Sequence, residues 1–137
     1  MNVDQIKKAT VSALIVWVLG VTAYVLSYFV PVLEDPEVQA NWVLAITIIP
    51  ATLLGAHLYY KKGYRTHGLR VGCYMFLITI VLDASITVPM FILPYGGNHI
   101  SFFTDPVFWI IGLEYVGMIT MYWLFKKSVI FAKITNN

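Results

Sequence analysis

The sequence predicts an all-α fold, a bundle of four transmembrane helices with both termini on the cytoplasmic side, forming a single integral membrane domain over residues 1–137. Three observations predict it. First, the chain is 59% hydrophobic and only 12% charged, against roughly 25% charged residues in a soluble domain, and its mean hydropathy is +0.76. Such a chain cannot cover a water-facing surface, so lipid must cover it. Second, the nine basic residues fall in three clusters: Lys7 and Lys8; Lys61, Lys62, Arg65 and Arg70; Lys126, Lys127 and Lys133. Third, the runs between these clusters are apolar and free of basic residues. Basic residues stay cytoplasmic because moving them across a bilayer during insertion is unfavourable. Three basic clusters separated by two out-and-back excursions therefore require four spans. At about 20 residues each, the spans use most of the chain and leave no room for a separate soluble domain.

The first span covers about residues 9–30 and runs outward. It is longer than the roughly 7–15-residue core of a signal peptide and ends in VPVLEDPE, without a small-residue cleavage pattern. An acidic outer loop holding Glu34, Asp35 and Glu37 follows. Asp35-Pro36 reads as a helix start, because Asp caps free N–H groups and Pro fits the first helical position. The second span covers about residues 40–60 and runs inward. Trp42 belongs near its outer interface and Tyr59 and Tyr60 at its inner one, as in the aromatic belts. Pro50, in mid-span, is expected to kink it. After the basic loop KKGYRTHGLR, the third span covers about residues 70–93. The outer loop PYGGNHISFFTD carries an apolar patch, Ile100, Phe102 and Phe103, suited to a lid or an interfacial anchor. Asp105-Pro106 starts the fourth span, about residues 106–125, which carries Trp109 and Trp123 near its ends and continues into the tail KKSVIFAKITNN.

The two halves share a pattern: an outward helix, an Asp-Pro start, a Trp, then an inward helix ending in aromatics and Lys-Lys. The pattern describes two helical hairpins as a weak parallel repeat about the membrane normal. With nine basic residues inside and four acids outside, the charge bias argues against a dual-topology dimer. The same topology accounts for the basic pI, so nucleic acid is not expected as a partner. The single Cys73 excludes an internal disulfide and a cysteine metal site. His57, His67 and His99 lack the spacing of metal motifs or of facing haem ligands, so no metal and no cofactor are expected.

Two acids lie within the spans, Asp83 in the third and Glu114 in the fourth. A lone ionised carboxyl in hydrocarbon costs several kcal/mol, so it is protonated, paired or wetted. Counted from the outer ends at 1.5 Å per residue, they lie roughly 15 Å and 12 Å deep, so the sequence predicts a carboxyl pair on neighbouring helices, titrating as a coupled unit. Thr79, Asp83 and Thr87 share one helix face by their four-residue spacing. Pro89, a second expected kink, removes the hydrogen bond to the Ser85 carbonyl four residues before it. With Tyr115, these groups are the candidates for a polar pocket that binds a proton or a ligand. Gly68 with Gly72, Gly55 with Ala56, and Gly112 with Gly117 are close-approach points between helices, available also to a homodimer contact.

The segments LYYKKGYRTHGLRVG, LDASITVP and PYGGNHISFFTDPVFW resemble a family of small bacterial four-helix membrane proteins of unknown function, over about residues 40–125. The resemblance implies a multi-pass protein of the bacterial cytoplasmic (inner) membrane and the four-span fold. It implies no activity. The leading expectation is a transporter-like or ligand-binding protein with a protonatable intramembrane carboxyl pair, whose partners are the lipid bilayer and a small molecule of unidentified class. The alternatives are a non-catalytic accessory or scaffold protein, and a membrane enzyme acting on a lipid or isoprenoid with the two carboxyls as general acid and base.

Overall fold

The computed structural model describes residues 1–136 and is helical throughout its ordered elements; Asn137, the last residue of the tail, lies outside the described residues. Helix α1 (Val3–Ser27) begins six residues before the apolar run. Its start is fixed by a capping box, in which Asn2 accepts from the Gln5 amide and Gln5 reaches back to the Asn2 amide. Helix α2 (Pro36–Tyr60) starts at Asp35, whose Oδ1 accepts from the Glu37 and Val38 amides. It continues unbroken through Pro50. Helix α3 (Gly68–Leu82) starts at His67 and passes directly into a wider π-helical segment, Asp83–Ile92, and then a 3₁₀ turn, Leu93–Tyr95. The outer loop contains a short helix, α4 (His99–Thr104), capped by Asn98. Helix α5 (Pro106–Thr135) starts at Asp105 and carries helical structure through the tail beyond Phe125. Four of these segments, Val3–Ser27, Pro36–Tyr60, Gly68–Tyr95 and Pro106–Thr135, are long and apolar enough to cross a membrane.

The four long helices form a ring in which α1 packs on α2, α2 on α5, α5 on α3 and α3 on α1. Side-chain pairs set the directions. Trp17 meets Asp83 and Thr10 meets Tyr74, so α1 and α3 run parallel. His57 meets Tyr122 and Lys126 donates to the Tyr60 carbonyl, so α2 and α5 run parallel too. Like-directed helices are thus neighbours. A twofold along the bundle axis would put them on opposite corners, so the ring order does not carry the expected repeat.

The lysines and arginines lie at the start of α1, in the α2–α3 loop and the first turn of α3, and along the far end of α5, which marks one end of the bundle as basic. This half is solid. Ala9, Ala13, Val16, Ala56, Val71 and Met75 are fully buried there. A Cβ at Gly68 would stand 2.8 Å from the Thr120 Cα, and one at Gly55 would stand 2.6 Å from Val16, so both glycines are needed for close helix approach. Tyr59 and Tyr60 belong to this core. They are 0% and 1% exposed, with hydroxyls bonded to the Thr66 side chain and carbonyl. Their expected place in a lipid-facing belt is corrected accordingly: the ring edges pack inward because the loop supplies acceptors for the phenols.

The opposite, acidic end is held by Gln39, which is 7% exposed. Its Nε2 donates to the Ser27 and Val30 carbonyls, and its Oε1 accepts from the Val32 and Leu33 amides. One side chain therefore ties α2 to the end of α1 and to the turn that joins them.

Candidate functional site

Between this stapled end and the solid half, the bundle is hollow. A cavity of about 710 Å³ lies among α1, α2, α3, α5, the π-helical segment and α4. Its floor is formed by Val16, Thr79, Asp83 and Tyr115, and its rim toward the acidic end by Phe29, Glu37, Tyr95, Ser101 and Asp105. Phe102 of α4 lies on the wall and packs on Phe108, so the short helix covers part of the mouth. Ten of the 27 wall residues are aromatic, three are acids (Glu37, Asp83 and Asp105), and none is lysine, arginine or histidine.

Asp83 is 7% exposed. Its Oδ1 accepts two hydrogen bonds, from the Trp17 indole nitrogen at 2.9 Å and from the Thr87 hydroxyl at 2.6 Å. The second length is one that Thr52 also makes to the neutral Ile48 carbonyl, so the geometry fixes the orientation of the carboxyl and not its charge. Both donors are neutral, and they leave Oδ2 without a partner on the cavity side. Thr79 sits one turn below, its hydroxyl bonded to the Met75 carbonyl at 3.2 Å and in long contact with the Tyr115 hydroxyl at 3.5 Å. Asp83, Thr79, Thr87 and Tyr115 thus converge on one wall.

Two other sequence expectations are corrected. Glu114 does not line the cavity, and no hydrogen bond joins it to Asp83. The antiparallel register of α3 and α5 sets Thr79 beside Tyr115 and Phe76 against Gly112. Asp83 is therefore level with the Val107–Ile111 turn, and Glu114 lies nearer the basic end, one residue round the helix from the inward-facing Tyr115. An acid–base pair across the cavity is not formed. Ser85 is exposed on the outside of the bundle rather than in the pocket.

The carbonyl released by Pro89 is also not that of Ser85. In the π-helical segment the bonds run five residues back, as in the bond from the Leu93 amide to the Val88 carbonyl. The missing proline N–H therefore frees Ala84, and the His99 Nε2–H of α4 donates to that carbonyl at 2.8 Å. The histidine satisfies an acceptor that would otherwise be bare at this depth and ties the short helix to the wide one.

Residue reasoning on the sequence missed Trp17, Tyr24, Phe76 and Phe108, which supply much of the cavity wall. His57 and His67 do not form a joint site: His57 bonds the Tyr122 hydroxyl, while His67 accepts from the Leu69 amide and lies against Trp123. No group of three His, Cys, Asp or Glu side chains is placed to hold a metal among the described residues. No family model, curated protein or solved structure matches this chain, so the chemistry of the cavity is read from its own residues.

Proposed function

We propose that this chain is a small transporter-like, ligand-binding protein of a bacterial cytoplasmic membrane, with both termini cytoplasmic and the cavity facing outward. The orientation follows from the basic end, since its lysines and arginines favour the cytoplasmic side. The observation that carries the functional reading is Asp83, an acid at mid-span with one oxygen held by two donors and the other open to a cavity. Intramembrane carboxyls mark proton or substrate paths as a class, and a pocket of this volume with few polar groups is the usual form of a small-molecule site. Asp83 alone, rather than a pair with Glu114, is the exchanging group. Thr87 and Trp17 orient it, and Thr79 and Tyr115 supply the neighbouring polar surface.

Infrared spectra of the protein in lipid test this reading. The carboxyl stretch of Asp83 is expected to change with pH, to vanish in Asp83→Asn and to persist in Glu114→Gln. Spectra in which no pH-dependent band is lost in Asp83→Asn would remove Asp83 as the exchanging group and favour a purely structural acid.

A further inference from the structure

We infer that the cavity takes a protonated amine carried on an apolar, ring-containing body. The inference rests on the proposal above that the cavity binds a ligand at Asp83, and it adds the chemical class. Four observations on the wall lead to it. The Asp83 Oδ2 has no protein donor, while Oδ1 already accepts two; an incoming N–H is what the open oxygen lacks. The side chain is more than nine-tenths buried and aimed into the hollow, so an arriving positive charge meets a carboxyl partly removed from water, where a charge-assisted bond is strong. The wall carries acids at floor and rim and no basic side chain, which attracts cations and repels anions. Finally, rings such as Trp17, Phe76, Phe108 and Tyr115 offer faces whose quadrupole attracts a cation and whose area suits an aromatic body. An anionic ligand finds no basic side chain here, only neutral donors such as Asn41 and Ser101.

The amine could belong to a free small molecule or to a lipid headgroup, and the test separates the two. The full chain is placed in nanodiscs of phosphatidylglycerol, which carries no amine. Calorimetry then compares three probes of one shape: 1-naphthylmethylammonium, 1-naphthylmethanol and 1-naphthoate, each corrected for uptake by empty discs. The ammonium is expected to bind roughly tenfold or more tightly than the alcohol, as a bond to a charged group implies, and the carboxylate not to bind. In Asp83→Asn the ammonium should keep only the small advantage over the alcohol that the rim acids give it. Glu37→Gln, on the exposed rim, should weaken the ammonium by about twofold to fivefold, more at low salt, and serves as the variant if Asp83→Asn does not fold. Adding phosphatidylethanolamine to the discs should leave ammonium binding unchanged for a free amine and depress it for a lipid amine; either result supports the class. Equal binding of alcohol and ammonium to the native chain would overturn the class while leaving a ligand-binding cavity. Binding of none of the three, with the Asp83 infrared band still responding to pH, would overturn the class and leave the proton-exchanging acid.

Discussion

The bond between Trp17 and Asp83 can be measured, and its size reports the charge state of the site. Trp17→Phe keeps an aromatic ring but removes the indole N–H together with part of the bicycle, a volume loss common to both arms of the cycle, and Asp83→Leu removes both carboxyl oxygens. Interhelical hydrogen bonds in lipid average about 0.6 kcal/mol, whereas bonds to ionised groups contribute about 1.5–3 kcal/mol. The 2.9 Å indole contact and the 2.6 Å Thr87 contact converge on the same oxygen. An ionised acceptor shared by two donors, the state an ammonium ligand requires, is weakened slightly for each, so on that reading the coupling expected from a double-mutant cycle is about 1–2 kcal/mol. Reversible unfolding in mixed micelles, followed by circular dichroism, supplies the four free energies. Repeating the cycle with Asp83→Asn isolates the charge, because Asn keeps an acceptor oxygen but not the ionised state. The second cycle returns only the part of the coupling that Asn does not keep, and for an ionised acceptor that part should be about half of the first or more. A coupling below about 0.3 kcal/mol in the Leu cycle, within the noise of such cycles, would refute the geometry itself, and a coupling indistinguishable from zero in the Asn cycle beside a clear one in the Leu cycle would refute a charged acceptor.

Two further predictions concern the frame around the site. Gln39→Met removes four hydrogen bonds to the α1–α2 turn; at about 0.5–1.5 kcal/mol each, and with water replacing part of them at an exposed loop, unfolding should show a loss of about 2–3 kcal/mol, together with faster hydrogen exchange at the Val32 and Leu33 amides. Gly68→Ala forces a methyl against the α5 backbone, whereas nothing lies within 4 Å of a Cβ at Gly117. Thermal unfolding should therefore show Gly68→Ala destabilised by about 1–3 kcal/mol and Gly117→Ala stabilised by about 0.5–1 kcal/mol, and a reversed order would contradict the packing.

The spans were legible because hydropathy and charge act along the chain, where the sequence is explicit. Asp35 and Asp105 were legible as caps for the same reason: capping is settled within three residues. The partnering of Asp83 was not. Depth can be counted from a helix end, but which way a side chain faces depends on neighbours. Glu114 stands next to Tyr115, about 100° round the helix, and that step decides between the cavity and the bundle's flank. One signal was present and unread. Trp17 lies in the middle of the first span, away from the interfaces that indoles favour, and a buried indole N–H needs an acceptor; the acids within the spans were natural candidates. The π-helical segment was not legible, because an α-helical count of four residues before Pro89 points to Ser85 where the wider turn frees Ala84. The inward packing of Tyr59 and Tyr60 depended on Thr66, across a turn whose shape the pattern of aromatics does not specify.

The division of the bundle into a solid half and a hollow one has an electrical consequence. With the cavity facing outward as proposed, water and ions entering the hollow would carry the potential of that side of the membrane down to its floor. The transmembrane voltage would then fall mainly across the tightly packed layer between Val16 and Tyr60. A unit charge crossing the full field gains or loses about 2.3 kcal/mol per 100 mV, but a cation travelling from the acidic end to Asp83 would cross only a small part of that field. Occupancy at Asp83 should therefore respond weakly to voltage, and passage onward through the packed layer strongly. Geometrically the acid sits near the middle of its span; electrically it sits close to one surface.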